Sequence, residues 1–171
     1  MRNTFTIAVA VLALGTAACG KKEVAQTPPP VTEAPPPGET VAPGDVELVE
    51  LPAAQADLVA KAGSDTVYFG TDKYDLDEAT KATLAAQARW LIANPNVRAS
   101  IEGHCDERGT REYNMALGER RANAARDYLV SQGVPAARLL VTSWGKERPV
   151  APGSNEEAWA QNRRAVTVLV R

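Results

Sequence analysis

Proline is concentrated in one part of this chain, and that concentration limits where a folded domain can lie. Eight of the 12 prolines fall between Pro28 and Pro52, interspersed with threonine, glutamate, glycine and alanine. Such a segment buries too little apolar surface to offset the entropy lost on ordering, so a disordered linker is predicted. In polyproline II form, at about 3.1 Å per residue, it would reach on the order of 100 Å.

The residues before the linker resemble an export signal. Phe5–Ala18 is an uncharged, mostly apolar run after Arg2. A membrane span needs about 20 residues, so this run is too short to cross a bilayer. The run ends in Leu14-Gly-Thr-Ala-Ala-Cys19, which resembles a bacterial lipobox. Residues 1–18 are therefore interpreted as a signal peptide and Cys19 as an acylated, palmitate-bearing N-terminus. Thr16 stands where leucine is preferred, which leaves ordinary signal cleavage as the alternative.

Residues 19–62 are predicted to form the lipidated cysteine and the linker, and residues 63–171 are predicted to form one folded domain. Periodicity, caps and turn residues predict its elements. They are a strand at 66–69, a helix at 78–93 after Asp77, a strand at 97–103, a helix at 111–132, a strand at 138–144, a short helix at 155–161 and a strand at 163–170. This order predicts an α+β fold in which a mixed four-stranded sheet has helices packed on one face.

The first long helix is predicted to be amphipathic. Its buried face is expected to carry Leu84, Ala88, Leu91 and Ile92, with Lys81, Gln87 and Arg89 on the solvent side.

Overall charge and aromatic content exclude one class of function. The formal net charge is −2 and 5% of residues are aromatic. Nucleic-acid binding needs a clustered basic surface or a stacking platform, so no nucleic-acid partner is expected.

The second long helix carries an arginine in an unusual place. Leu117, Ala124, Ala125 and Tyr128 mark the stripe expected to face the sheet, and Arg121 lies on it. A guanidinium there is costly unless it is paired or lines a cleft. Spacing alone leaves both a buried salt bridge and a binding role open.

Asp106, in the loop before this helix, is the expected partner of Arg121, although it is equally placed to cap the helix. Together, an aspartate and an arginine at one cleft would suit a zwitterion, with carboxylate facing ammonium and guanidinium facing carboxylate.

Five long motifs lie in the predicted domain. They are Tyr68-Phe-Gly-Thr-Asp72-Lys-Tyr, Gly103-His-Cys-Asp106-Glu-Arg-Gly109-Thr, Asn114-x-x-Leu117-Gly-Glu-Arg-Arg121-Ala122, Ser143-Trp-Gly-Lys-Glu-Arg-Pro149 and Gln161-Asn-Arg-Arg-Ala165-Val. Together they resemble the OmpA-like peptidoglycan-binding domain, over about residues 64–171. The resemblance implies a βαβαβ(β) fold.

The resemblance also implies a binding site. In the family, the aspartate of a His-x-Asp-x-x-Gly loop and an arginine before alanine bind the free end of meso-diaminopimelate in the peptide stem. The matching residues are Asp106 and Arg121. Other pocket positions are matched by Asp72, Asn114, Leu117 and Arg164.

The function implied by the resemblance is a noncovalent tether. The chain would be an outer-membrane lipoprotein, lipid-anchored and facing the periplasm, that binds peptidoglycan. The family links such proteins to the Tol system in cell division and envelope integrity, with TolB and other Tol proteins as partners. No cofactor and no metal are implied. A lipoprotein that presents its domain only to protein partners remains the alternative.

Catalysis is not expected. His104 and Cys105 are adjacent, so in extended chain they point to opposite faces and cannot form a nucleophile–base pair. One histidine and one unlipidated cysteine are too few ligands for a typical zinc site, and no carboxylates form an evident glycosidase pair. Cys105, where the family commonly has alanine or threonine, is predicted to be a small buried side chain rather than a reactive thiol.

Overall fold

The computed structural model describes residues 49–171. The predicted signal peptide, the lipidation site Cys19 and the linker up to residue 48 lie outside the described residues. In chain order the elements are α1 Pro52–Ala62, β1 Thr66–Tyr68, α2 Glu78–Ala93, β2 Arg98–His104, α3 Arg111–Ser131, a 3₁₀ turn Ala136–Arg138, β3 Leu139–Gly145, α4 Glu156–Asn162 and β4 Arg164–Val170.

The four strands form one mixed sheet in the order β1-β4-β2-β3. β4 runs antiparallel to both β1 and β2, whereas β2 and β3 are parallel. Ile101 at the centre pairs with Thr167 on one side and Val141 on the other. The predicted α+β class and mixed four-stranded sheet are therefore confirmed.

The core lies between α2, α3 and the sheet face that carries Ile101 and Leu169. These two residues and Leu84, Leu91 and Leu129 are at most 1% exposed. Each fully buried side chain of this kind stabilises the fold by about 1.5–3 kcal/mol relative to its exposed state.

Side-chain caps fix where two of the helices, α2 and α4, begin. Asp77 accepts a hydrogen bond from the Thr80 main-chain N–H at 2.7 Å, which confirms the predicted cap of α2. Asn155 caps α4 in the same way through the Ala158 N–H. These oxygens satisfy N–H groups that have no partner within the helix.

The buried face of α2 differs from the prediction at two positions. Gln87 is fully buried rather than solvent-facing, and Ile92 is 49% exposed rather than buried. Gln87 Nε2 donates to the Ser64 carbonyl oxygen at 2.9 Å, and Thr167 Oγ1 donates to Gln87 Oε1 at 2.8 Å. Because both polar ends have partners, the amide is tolerated in the core.

The domain also begins earlier than the predicted boundary at residue 63. The segment assigned to the linker contains α1, an 11-residue helix whose Leu58 is fully buried. Pro52 starts this helix, a position that proline favours because the missing N–H would have no helical partner there.

The side chain of Gln55 explains how α1 joins the sheet. Gln55 Nε2 donates to the Thr167 carbonyl oxygen at 2.8 Å, and Gln55 Oε1 accepts from the Leu169 N–H at 2.9 Å. The carboxamide thus makes the two hydrogen bonds that a neighbouring strand would make to β4.

Candidate functional site

A cleft of about 250 Å³ lies between the loop after β2, the turn after β1 and the first half of α3. It is lined by Thr71, Asp72, Cys105, Asp106, Arg108, Gly109, Tyr113, Asn114, Leu117 and Arg121. Five of the six predicted binding residues line this cleft, and Arg164 does not.

Arg121 lies at the buried end of the cleft, with no measurable exposure. Its Nε donates to the Lys73 carbonyl oxygen at 2.9 Å, and Nη2 donates to that of Gly70 at 3.0 Å. Nη1 donates to the His104 carbonyl oxygen at 2.8 Å and to Cys105 Sγ at 3.4 Å. These bonds use four of the five guanidinium N–H groups and leave one on Nη2.

The expected direct pairing of Arg121 with Asp106 is therefore wrong. Within residues 49–171 Arg121 forms no salt bridge, and main-chain carbonyl groups take the place of a carboxylate partner. Desolvation by burial lowers the pKa of Arg121, yet an arginine stays protonated in proteins. The cleft therefore ends in a fixed positive charge without an acidic partner of its own.

The stripe that places Arg121 is also shifted from the predicted one. Leu117 and Ala125 are buried as expected, but Ala124 and Tyr128 are only half-buried. Besides Leu117 and Ala125, the buried positions of α3 are Asn114, Gly118, Arg121, Ala122 and Leu129.

Asp106 is 6% exposed and carries the negative charge of the same cleft. Its Oδ1 accepts from the main-chain N of Arg108 at 3.1 Å and from Arg108 Nε at 3.0 Å. Its Oδ2 accepts from Arg108 Nη2 at 2.6 Å and from Arg163 Nη1 at 3.5 Å. Asp106 does not cap α3, because Thr110 does so through the Tyr113 N–H.

Two opposing effects set the pKa of Asp106. Burial raises the pKa of this carboxyl group. The hydrogen bonds and the charge of Arg108, together with a hydrogen bond from Arg163, lower the pKa by a larger amount. The net pKa lies below its ordinary value, so the carboxylate is ionised at neutral pH.

Asp72 and Asn114 shape the walls of the cleft. Asp72 has a φ of 55°, a left-handed conformation that is uncommon outside glycine and that concentrates at functional sites. Its Oδ1 accepts from the Tyr113 hydroxyl at 3.3 Å. Asn114 Nδ2 donates to the carbonyl oxygens of Arg108 and Thr110 at 2.7 and 3.0 Å. Asn114 therefore holds the loop that carries Asp106.

Arg164 points away from the cleft, which corrects its assignment to the site. It lies on β4 beside the buried, helix-facing Ala165, and its Nη2 donates to the Arg148 carbonyl oxygen at 3.2 Å. Arg163 lies at the site where Arg164 was expected, because the Arg163 side chain contacts Asp106. The alternation of buried Ala165, Thr167 and Leu169 already indicates that Arg163 shares their side and Arg164 does not.

Sequence reasoning also missed Arg108, Thr71 and Tyr113. Arg108 follows the Asp106 motif residue by only two positions, and its Nη2 also reaches Thr71 Oγ1 at 3.4 Å. No periodicity applies to a loop residue, so only its charge next to Asp106 was available as a signal.

Cys105 is 3% exposed, which confirms the predicted small buried side chain. Its Sγ contacts the Asn114 carbonyl oxygen at 3.4 Å as a donor. Burial raises the pKa of the thiol, and the charge of Arg121 only partly opposes this. A thiol with a raised pKa is a poor nucleophile at neutral pH.

A larger groove of about 690 Å³ lies elsewhere, between α1 and β4. Its walls are mostly apolar, with Leu51, Val59, Val166 and Val168 among them. Opposed charged groups converge only in the smaller cleft of the two, which is therefore the candidate site.

Two further features of residues 49–171 bear on function. No cluster of three or more histidine, cysteine, aspartate and glutamate side chains in this range is placed to hold a metal ion. No helix in this range combines the length and apolar character needed to cross a membrane.

The fold and the cleft define a domain of the OmpA type, and residues 68–163 match the model of the OmpA family. The chain belongs to the OmpA family. Membership of this family makes it a non-enzymatic protein, as the residue pattern predicts.

Two similar proteins share one name within the OmpA family. The peptidoglycan-associated lipoprotein of Rhizobium meliloti is 54% identical over 118 residues, which are 69% of this chain and 66% of that protein. The protein of the same name in Brucella melitensis is 49% identical over 129 residues, 74% of this chain and 76% of the relative. The chain thus spans about two thirds of the length of the Rhizobium relative.

Solved structures agree with this placement. The crystal structure of the peptidoglycan-associated lipoprotein from Burkholderia pseudomallei matches with a TM-score of 0.61 and 45% identity, over 63% of this chain and 91% of that one. The C-terminal domain of Helicobacter pylori MotB matches with a TM-score of 0.57 at 20% identity, over 61% of this chain and 83% of that one. At that identity the likeness concerns the fold alone.

Proposed function

We propose that this chain is an outer-membrane lipoprotein that binds peptidoglycan noncovalently and so tethers the outer membrane to the cell wall. The ligand is the free end of meso-diaminopimelate in the peptide stem, and the cleft around Asp106 and Arg121 receives it. This end carries an ammonium and a carboxylate on one carbon.

The observation that carries the proposal is the pair of opposite charges in one small cleft. Asp106 is ionised and nearly buried, and Arg121 is fully buried without an acidic partner in the described part of the chain. An ammonium interacts favourably with the first and a carboxylate with the second. Charge-assisted hydrogen bonds of this kind are about twice as strong as neutral ones.

The relatives support the same ligand class. The proteins of Rhizobium, Brucella and Burkholderia are each named peptidoglycan-associated lipoprotein. In this chain the motif residues Asp72, Asp106, Asn114, Leu117 and Arg121 all line the cleft.

The anchoring part of the proposal rests on residues 1–48. Cys19 carries the lipid after removal of residues 1–18, the proline-rich segment is the tether, and the folded domain faces the periplasm. TolB and other Tol proteins are the proposed protein partners, which would place the chain in the Tol–Pal system of cell division and envelope integrity.

Co-sedimentation with purified sacculi tests the site. Asp106→Asn keeps the size of the side chain but removes the charge, so we expect binding to fall about tenfold or more. Arg126→Ala is the control, because it removes one charge from a partly exposed position of α3 outside the cleft, where Arg126 pairs with Asp127. The site assignment is wrong if Asp106→Asn sediments as well as the control.

The same assay separates the alternative function. A lipoprotein that presents its domain only to protein partners would leave the wild-type chain in the supernatant. Addition of free meso-diaminopimelate gives a second readout, since it should release the wild-type chain from sacculi by competition.

A further inference from the structure

The Asp106 carboxylate is fully occupied in this structure. A carboxylate accepts about four hydrogen bonds. Arg108 supplies three donors, its main-chain N, Nε and Nη2, and Arg163 Nη1 supplies the fourth at 3.5 Å. An ammonium group that binds Asp106 must therefore replace one of these donors.

Only the two donors of the Arg108 side chain, Nε and Nη2, are free to leave. The Arg163 side chain is 7% exposed, and the Phe69 carbonyl oxygen and Glu156 hold it. The main-chain N of Arg108 is fixed with its loop, because Asn114 Nδ2 donates to the Arg108 carbonyl oxygen. The Arg108 side chain, in contrast, is 39% exposed.

The Arg108 side chain makes a second contact that does not involve the carboxylate. The central carbon of its guanidinium lies 4.2 Å from the centroid of the Trp159 ring. Trp159 itself is oriented by a hydrogen bond from Nε1 to Glu107 Oε1 at 3.1 Å. Because a cation is attracted to an aromatic face, the ring stabilises the guanidinium when its bonds to Asp106 are broken.

We propose that Arg108 occupies Asp106 in the empty cleft and that the ammonium group of the ligand displaces it, which makes Arg108 a specificity-determining residue. The inference rests on the proposed function, since the ligand is the zwitterionic end of diaminopimelate. A ligand with an ammonium group must break the Arg108–Asp106 ion pair to reach Asp106, whereas a ligand with carboxylates alone leaves this pair intact. Arg108 therefore lowers the affinity for the first ligand relative to the second.

Two ligands of the same carbon length test this. Meso-diaminopimelate carries two amines, and pimelate has none. Titration of the full-length chain followed by NMR gives the affinity for each ligand, and the ratio of the two affinities is compared between variants. Pimelate carries two negative charges, whereas the charges of diaminopimelate cancel, so loss of one positive charge by itself weakens pimelate more. A control variant that loses the same charge measures this effect.

We expect Arg108→Ala to raise the ratio of affinities for diaminopimelate over pimelate roughly two- to fivefold, the range for a partly exposed ion pair. Arg111→Ala is the matched control. It removes the same charge from the next arginine, whose side chain is 65% exposed and pairs with Glu147. The rise of the ratio in Arg108→Ala should exceed any rise in this variant.

A ratio in Arg108→Ala that is no higher than the ratio in Arg111→Ala overturns the inference. A readout on the wild-type chain covers the case in which the variant folds poorly: diaminopimelate must shift the Arg108 Nε–H signal, and a signal that stays in place overturns the inference too. If the wild type binds neither sacculi nor diaminopimelate, the proposed function fails and this inference fails with it. Wild-type binding with equal ratios in Arg108→Ala and Arg111→Ala rejects the role of Arg108 alone.

Discussion

Gly103 of β2 and Gly118 of α3 are in direct contact through their main chains, and a methyl group at Gly103 would overlap the Gly118 carbonyl oxygen. A methyl group at Gly118 would in turn overlap Ser143 Oγ. Arg121 follows Gly118 by three residues, so this close approach brings its Nη1 within 2.8 Å of the His104 carbonyl oxygen. The two glycines therefore set the depth at which the positive charge of the cleft lies.

We expect Gly103→Ala to lower the free energy of unfolding by about 2–3 kcal/mol, because the added methyl forces strand and helix apart. Urea denaturation followed by circular dichroism measures the change. Gly70→Ala is the control, since its methyl would meet only the flexible end of Lys73 at 3.2 Å. Equal effects of the two substitutions would contradict the close contact.

Arg121 is predicted to stabilise the fold as well as the ligand. Arg121→Ala leaves the Gly70, Lys73 and His104 carbonyl groups without this donor, and we expect a loss of about 3 kcal/mol or more. Thermal and urea unfolding give the value. Arg126→Ala, on the exposed side of α3, should cost less than about 0.5 kcal/mol. A fully stable Arg121→Ala variant would show that the carbonyl contacts are dispensable.

His104 is predicted to make stability depend on pH. Burial, and then the charges of Arg164 and Arg148, lower its pKa from 6.5 to about 4. Below pH 6.5 the unfolded chain binds a proton that the folded chain does not, so acidification from pH 6.5 to pH 4 destabilises the protein. The slope approaches about 1.4 kcal/mol per pH unit within that window.

This dependence is assigned easily because His104 is the single histidine of the chain. Urea denaturation at pH 7, 6 and 5 measures the slope, and His104→Gln should abolish it. A wild-type slope that persists in His104→Gln would mean that another group is responsible.

The contact between α1 and β4 gives a fourth prediction. Gln55→Ala removes both hydrogen bonds to the main chain of β4, and we expect a loss of about 1–3 kcal/mol in the free energy of unfolding. Lys61→Ala on the same helix is the control, because Lys61 makes only an exposed ion pair with Asp57. Similar values for the two variants would contradict the role of Gln55 as a substitute strand partner.

Local rules predicted most of the elements from sequence. Apolar periodicity and the Asp77 cap located α2, and the place of Arg121 on an apolar stripe predicted its burial. The identity of its partners was not accessible, because Gly70 and Lys73 are 51 and 48 residues away in the chain. Main-chain carbonyl groups carry no residue-specific signal.

Three differences between the prediction and the structure have an identifiable physical cause. Pro52 was counted with the linker although proline also begins helices, so α1 was missed. Arg164 was taken from the family motif, whereas the two-residue alternation of β4 selects Arg163. Gln87 was placed on the solvent side because polar side chains usually face water, and only the fold brings Ser64 and Thr167 to its amide.

β4 connects the segment where the chain enters the described domain with the residue that contacts the candidate site. At its end Val170 pairs with Glu50, and the Leu51 N–H donates to the Leu169 carbonyl oxygen. Its first residue follows directly after Arg163, which contacts Asp106. In the proposed tether, mechanical tension on the membrane side enters the domain at Glu50 and Leu51. A single strand of seven residues would then link this entry point to Arg163, next to the proposed binding cleft.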